Sequence, residues 1–153
     1  MRAFQLPEIG ALPHFAEVDL PAPAEGEVQI DIAACGLNFA DLLMQSGKYQ
    51  ERPTPPFTLG MEIAGTVRAL GPGVTGFAPG DRVAAFPGLG GLAPRANVAA
   101  ARCLILPASL DFVTGAAFQV AYGTSHLALD HKARLQPGET LFVTGAAGGV
   151  GLT

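Results

Sequence analysis

The chain has 153 residues, of which 49% are hydrophobic and 14% charged, and its formal net charge is −4. This length is sufficient for one ordinary domain with a well-formed core. The acidic balance provides no positive surface for nucleic acid or for an anionic membrane, so neither is expected as a partner.

The N-terminal residues and the cysteines bear on where the protein resides. Residues 1–7 contain no continuous apolar run, and no window of about 18 residues is apolar and free of charge. This argues against a signal peptide and a transmembrane span. Cys35 and Cys103 are far apart and have no basic neighbours to activate them, so we interpret both as packing residues. A reducing cytoplasm is the expected location.

The first hundred residues favour short strands joined by tight turns. In the clearest strand Val28, Ile30 and Ile32 alternate with less apolar neighbours, and residues 53–56 contain prolines that favour an extended loop. Strands are predicted at 1–6, 15–20, 28–33, 60–70, 81–86, 96–100 and 103–106. Turn signals at such regular spacing favour a rolled, barrel-like sheet.

A short helix is predicted directly after the strand at 28–33. Asn38 is a favourable N-cap residue, and Asp41 lies three positions later, where a carboxylate favours the start of a helix. The helix is expected to end by Gly47. Capping of this helix is a structural explanation for both polar residues.

The pattern changes from strands to helices near residue 109. Ser109 is a candidate cap for a helix that begins at Leu110, and Gly123 and Thr124 indicate a kink or junction. A second helix is predicted over 124–134. The chain therefore passes from a β-rich unit through a helical link into a final segment of different character.

The final segment combines an apolar run with a glycine-rich turn. Residues 140–144 favour a buried strand, and the spacing Ala146-x-Gly148-x-x-Gly151 follows it. Backbone without side chains can approach a pyrophosphate and offer it the N–H groups of a helix N-terminus. Alone this motif is weak, because glycine turns after strands are common.

Five motifs in this order resemble those of the medium-chain dehydrogenase/reductases, and within them the zinc-free, zeta-crystallin-like quinone oxidoreductases. The motifs stand at 36–41, 46–49, 60–65, 79–83 and 145–151. The resemblance implies a β-rich GroES-like barrel catalytic domain followed by the first β-α unit of an α/β Rossmann-like domain. Its expected boundaries are 1–108 for the barrel, 109–135 for a helical link and 136–153 for the start of the dinucleotide-binding domain.

The resemblance also bears on zinc. The positions that match the catalytic zinc ligands of alcohol dehydrogenases are Asn38, Met61 and Val120, none of which is a usual zinc ligand. Residues 87–94 contain no cysteine for a structural zinc lobe. The three histidines show neither the H-x-x-x-H nor the H-E-x-x-H spacing. We therefore expect a zinc-independent reaction.

The family implies roles for individual residues in a cleft that binds NADPH. Asn38 and Tyr49 would face the nicotinamide–ribose end, Thr124 would lie near the nicotinamide, and these three are the candidate catalytic residues. The pyrophosphate would be held by Ala147, Gly148, Gly149 and Val150. The structural alternative for Tyr49 is an aromatic residue at the rim of a loop. Glu62, within an apolar strand, is interpreted as an internal hydrogen-bond partner rather than an acid catalyst.

Three functional hypotheses follow. The first is NADPH-dependent reduction of a quinone or an activated alkene or enone, with this chain as the N-terminal half of the enzyme. The second is a barrel that acts as a binding or assembly module without redox activity, and the third is an enoyl-thioester reductase of the same superfamily. A bare strand at 140–144 would expose two unpaired edges. We therefore expect a second copy in a dimer, or a C-terminal half, to cover it.

Overall fold

The computed structural model of the protein describes all of residues 1–153. The strands are β1 (Arg2–Leu6), β2 (His14–Glu17), β3 (Glu27–Gly36), β4 (Phe57–Thr58), β5 (Glu62–Leu70), β6 (Arg82–Ala85), β7 (Arg95–Ala99) and β8 (Cys103–Ile105). The helices are α1 (Phe39–Gln45), α2 (Phe112–Ala116), α3 (Gln119–His126) and α4 (Gly149–Leu152), with a 3₁₀ turn at Ala100–Arg102 and a π-helical segment at Leu127–Ala133. None of these helices combines the length and hydrophobicity that a bilayer crossing requires.

The strands form two antiparallel sheets. One contains β2, β1 and β4, and the other contains β7, β3, β5, β6 and β8, each in that order. β3 and β5 form the longest pairing, in which Ile30 lies opposite Val67 and Gly36 lies opposite Glu62. The last of these pairs places the end of β3, just before α1, beside the start of β5.

The main core is formed by side chains from the strands of the larger sheet. Val28 and Ile30 of β3 are fully buried, which confirms the apolar alternation read from the sequence. Gln29 between them is buried as well. Its side-chain amide donates to the Pro21 carbonyl at 3.2 Å and to the Asn97 side chain at 3.0 Å, so the polar group is satisfied.

A second core cluster holds α1 against the barrel. Met44 of α1 is buried together with residues from β1, β4 and the segment before β5. The cluster consists of Leu6, Met44, Phe57, Leu59 and Met61. Tyr49, in the loop after α1, is partly buried against it.

The predicted strands of the barrel are all present, with two differences in detail. β2 ends at Glu17 rather than at residue 20, because its partner β1 begins at Arg2 and only Met1 remains to bond Val18. The proline-rich loop also contains β4, which pairs Phe57 with Leu6. A two-residue strand carries too little periodicity to be predicted from sequence.

In the helical link, the first helix begins at a different residue than predicted, and the junction between the two helices also lies elsewhere. Asp111, not Ser109, caps the first helix, and its carboxylate accepts the Thr114 N–H at 2.7 Å. The break falls between α2 and α3, before Gln119, so Gly123 and Thr124 lie within a continuous helix. Nothing lies within 4 Å of a side-chain carbon built at Gly123, so this glycine is not required by close packing.

The strand predicted at 140–144 is not formed, which corrects the sequence interpretation. A strand needs the N–H and C=O groups of a neighbour to complete its ladder, and both sheets are built from strands that precede residue 106. The apolar residues are consequently exposed, with Phe142 86% accessible. The helix expected after the glycine-rich turn does begin, as α4.

Candidate functional site

The start of α1 is held by Asp41. Its carboxylate accepts the backbone N–H of Asn38 at 2.9 Å through Oδ2 and the backbone N–H of Gly60 at 3.1 Å through Oδ1. Asp41 is only 7% exposed. The predicted acid at the helix start is therefore confirmed, and it also ties α1 to the segment that leads into β5.

The side chain of Asn38 turns towards the barrel interior. Its Nδ2 donates to Glu62 Oε1 at 2.8 Å, while Glu62 Oε2 accepts the backbone N–H of Val120 at 2.9 Å. Glu62 is 2% exposed and thus a buried carboxylate. The interpretation of Glu62 as an internal hydrogen-bond partner agrees with this geometry, and the bond joins the barrel to α3.

Two of the three positions that match zinc ligands in alcohol dehydrogenases meet at Glu62. Asn38 and Val120 both donate to its carboxylate, and Met61 precedes it in the chain. The Met61 side chain is buried in the second core cluster. An amide, a thioether and an aliphatic side chain are poor ligands for zinc, which prefers thiolate, imidazole and carboxylate groups.

Helix α3 connects this bond to the glycine-rich turn. Thr124 lies on α3 one turn after Val120, and its side chain is exposed. The same helix contacts the end of α4 through a pair of hydroxyls. Ser125 Oγ and Thr153 Oγ1 lie 2.6 Å apart, and each is within hydrogen-bond distance of the Val150 carbonyl oxygen. Thr153 Oγ1 also lies 3.3 Å from the Ala121 carbonyl oxygen. Asn38, Thr124 and the turn are therefore attached to a single helix.

The glycine-rich turn is open where a ligand would approach. Gly145 has φ +67°, a left-handed conformation that favours glycine. A side-chain carbon at Gly148 would find its nearest neighbour 3.4 Å away, and one at Gly149 would find nothing within 4 Å. A carbon at Gly151 would lie only 2.8 Å from the Ala146 Cα. Gly151 therefore closes the turn on itself, while Gly148 and Gly149 leave the outer space free.

The parts of the predicted site are not joined by one cavity. A cavity of about 600 Å³ reaches Asn38 and Asp41 and is otherwise lined mostly by apolar residues such as Leu37. The turn lines a separate cavity of about 620 Å³ that includes Gly148 and Phe142. Tyr49 packs on the second core cluster and lines neither cavity. Its predicted contact with a cofactor stays a prediction.

Both cysteines are protected thiols. Burial, followed by the nearby charges of Asp41 and Glu62, raises the pKa of Cys35 from 9.0 to about 12. Burial alone raises the pKa of Cys103 to about 11. Side chains at Gly60 and Gly91 would each come within 3 Å of the Cys35 sulfur, which therefore fills a tightly packed space. This packing agrees with the role predicted from the sequence.

Sequence reasoning missed one cluster of potential metal ligands. His126 Nε2 and His131 Nε2 each lie 3.8 Å from Asp130 Oδ2. The three ligand atoms are all within 4.8 Å of one another, and the three side chains are exposed. A π-helix has more residues in each turn than an α-helix. In the π-helical segment, Asp130 and His131, four and five positions after His126, therefore both lie close to it. A search for α-helical spacing does not detect this arrangement.

Comparison with known proteins places the chain in a family. The model of the alcohol dehydrogenase GroES-like domain matches residues 24–108. Quinone oxidoreductase from Rattus norvegicus is 41% identical over 156 residues, a match that covers 99% of this chain and 47% of the relative.

Two solved structures resemble the chain over 99% of its length. Quinone oxidoreductase from Thermus thermophilus, a structure whose description also names a complex with NADPH, is 39% identical with a TM-score of 0.87, and 48% of it is covered. Escherichia coli quinone oxidoreductase complexed with NADPH is 34% identical with a TM-score of 0.90, and 47% of it is covered.

The chain belongs to the quinone oxidoreductase family of the medium-chain dehydrogenase/reductases and corresponds to its N-terminal part. It spans about half the length of these relatives. The predicted fold class, a GroES-like barrel followed by the start of a Rossmann-like unit, is confirmed.

Proposed function

We propose that this chain supplies the barrel wall and the pyrophosphate turn of an NADPH-dependent oxidoreductase. The reaction is the transfer of a hydride to a quinone or to an activated alkene or enone. Relatives at about 40% identity are named quinone oxidoreductases, and two structural neighbours are described as NADPH complexes. The named relatives favour this reaction over a barrel module without redox activity.

The observation that carries the proposal is the attachment of both walls to α3. On one side the Glu62 carboxylate holds Asn38 and the Val120 N–H. On the other, the hydroxyls of Ser125 and Thr153, 2.6 Å apart, connect the same helix to the end of α4. A ligand that spans from Asn38 to the turn would therefore meet residues whose separation is set by α3.

The residues of the turn fit a dinucleotide. The free space over Gly148 and Gly149 permits the close backbone approach that a pyrophosphate requires. α4 begins at Gly149 without a side-chain cap, so its first N–H groups are not occupied by one. Ala147 and Val150 complete the segment that we assign to the pyrophosphate.

At the other end of the cleft, the proposal assigns positioning by polar side chains. NADPH supplies the hydride when it is bound. The exposed hydroxyl of Thr124 is available to orient the nicotinamide, while Asn38 and Tyr49 would hold its ribose end. The positions that match zinc ligands carry Asn38, Met61 and Val120, and these side chains support a reaction that does not use zinc.

The organisation of the chain follows the same proposal. Residues 1–108 form the catalytic barrel, 109–135 the helical link and 136–153 the first part of the dinucleotide-binding unit. The exposed residues at 141–143 would be covered by further protein, either a second copy or the remainder of that unit. Both cysteines are free thiols, which suits the cytoplasm.

Activity measurements would test the reaction directly. The full-length enzyme that contains this chain is mixed with NADPH and either a soluble benzoquinone or an enoyl-CoA, and the loss of NADPH absorbance is followed. The proposal predicts turnover with the quinone, whereas turnover with the enoyl-CoA alone would support the thioester reductase. If NADPH is consumed with neither the quinone nor the enoyl-CoA and does not bind detectably, an enzymatic role for this chain is contradicted.

Tyr49 offers a sharper test of the cofactor assignment. In the full-length enzyme, Tyr49→Ala is expected to raise the KM for NADPH by a factor that corresponds to about 1–2 kcal/mol. Tyr49→Phe keeps the ring that packs on the second core cluster and removes only the hydroxyl. If both variants bind NADPH as the parent does, Tyr49 is a packing residue and not part of the site.

A further inference from the structure

We propose that Glu62 is a positioning residue of the cleft, which fixes the Asn38 side chain and the first turn of α3 relative to each other. The inference deepens the proposed function and rests on it, since the spacing of Asn38 and Thr124 matters only when a cofactor lies between them. Glu62 would act through these residues rather than on the substrate.

The chemistry of the two contacts suits a carboxylate. Asn38 Nδ2 and the Val120 N–H are both donors, and each meets a different oxygen of Glu62. An aliphatic or thioether side chain at this position would satisfy neither. Glutamine would serve both contacts only if the Asn38 amide turned over to present its oxygen to the glutamine NH₂ group. The sequence also leaves α3 without a local cap, because Phe118 stands at its N-cap position.

The Glu62 carboxylate is held by N–H donors rather than by a cation. None of the chain's ion pairs includes Glu62, although it is 2% exposed. Two N–H donors and the positive end of the α3 dipole face it instead. Hydrogen bonds that a carboxylate accepts are stronger than those between neutral groups, so both contacts restrain their donors firmly.

The carboxylate is closely packed on the side of β3. A carbon atom at Gly36 would lie 2.5 Å from Glu62 Oε1 and 2.6 Å from the Ala116 carbonyl oxygen. The end of β3, the carboxylate and the end of α2 therefore pack directly against one another. On this side, only a residue without a side chain leaves space for the carboxylate.

The experiment is a polarity swap followed by amide hydrogen exchange. Glu62→Met keeps the length of the side chain and removes both acceptors, so exchange of the Val120 amide is expected to accelerate about tenfold, the equivalent of one hydrogen bond. The double variant Asn38→Asp with Glu62→Gln reverses the first contact, because the introduced glutamine donates to the introduced aspartate and still accepts from Val120. It should return the Val120 exchange rate to within about threefold of the parent.

Asp41→Asn is the matched control. Asp41 is also a buried carboxylate that accepts two backbone N–H bonds, but both donors, Asn38 and Gly60, belong to the barrel. Its loss is expected to lower the stability of the barrel and leave Val120 exchange, measured relative to global unfolding, unchanged. If the loss of any buried carboxylate had the same general effect, Asp41→Asn would change the Val120 exchange rate as well as the stability.

Two results would overturn the proposal: Val120 exchange in Glu62→Met within about twofold of the parent, or a double variant no better protected than Glu62→Met. NADPH titration of the same proteins separates this from failure of the proposed function. Suppose that the parent chain fails to bind NADPH while the Val120 exchange rates of the variants change as expected. In that case Glu62 joins the barrel to α3, and the cofactor assignment is wrong. If the parent binds and the swap restores α3, affinity should recover only in part, because the Asn38 amide is still missing.

Discussion

Replacement of Gly148 by valine separates the stability of the chain from its affinity for a cofactor. Gly148 has φ −84° and ψ 166°, an extended conformation that β-branched residues adopt readily. The new Cβ would lie 3.4 Å from the nearest atom, the Gly145 carbonyl oxygen, which is an acceptable contact. The expected cost to the unfolding free energy is at most about 1 kcal/mol, mainly because valine is a poor N-cap residue.

The cost to NADPH binding should be much larger. The valine side chain would fill the space over the turn and keep a pyrophosphate from at least one or two backbone N–H groups. Charge-assisted hydrogen bonds contribute about 1.5–3 kcal/mol each, so the Kd for NADPH should rise at least about 100-fold. Gly148→Ala, which adds only one carbon, should lie between the parent and Gly148→Val.

Two titrations on each variant provide the measurement. NADPH fluorescence gives the Kd, and urea unfolding gives the stability of the same protein. If Gly148→Val binds NADPH within about threefold of the parent while folded, the pyrophosphate does not lie over this turn. A loss of stability as large as the loss of affinity would show that the turn serves the fold and would contradict the reasoning equally.

Four further outcomes are expected. Asp41→Asn should lower the urea-unfolding free energy by about 1–3 kcal/mol, because one of two backbone N–H groups loses a charged acceptor. Cys35, with its pKa raised to about 12, should resist alkylation in native protein at mildly alkaline pH and react on unfolding; rapid native labelling would contradict this. Because the unfolded thiol ionises near 9.0 while the folded one does not, this group's contribution to stability should decrease as pH rises through that range, and Cys35→Ala should reduce the slope. Gly151→Ala should accelerate amide exchange in α4, since its Cβ would lie 2.8 Å from another backbone atom of the turn, and unchanged exchange would show that the turn adapts.

The elements that the sequence predicts well are those governed by local pattern. β3 is predictable because Val28 and Ile30 alternate with other residues, and both are in the core. α1 is predictable from Asn38 and Asp41, and the Asp41 carboxylate does hold the Asn38 N–H. In each case the deciding interaction lies within a few residues along the chain.

The elements predicted poorly depend on partners elsewhere. Residues 140–144 have the apolar pattern of a strand but no neighbouring strand in this chain to complete a ladder. Sequence reasoning misplaces the start of α3 because its cap is Glu62, which lies 58 positions away in sequence. No local rule reveals such a cap.

In the candidate site, too, features set by local sequence are predictable and features set by distant residues are not. The glycine-rich turn is recognisable from spacing, and the structure leaves its outer space free at Gly148 and Gly149. The bond between Asn38 and Glu62 depends on the antiparallel register that sets Gly36 opposite Glu62, which the sequence does not specify. The His126, Asp130 and His131 cluster depends on a π-helical segment that departs from the spacing expected of an α-helix.

The most direct test of a shared cleft is an NADPH titration of isotopically labelled protein followed by nuclear magnetic resonance. The backbone amides of Gly148 and Gly149 report on the turn, and the side-chain amide of Asn38 reports on the barrel. We predict that all three signals shift together and give the same Kd. If only the signals of the turn shift, or if none of the three shifts, the idea of a single cofactor held between the barrel and the glycine-rich turn is contradicted.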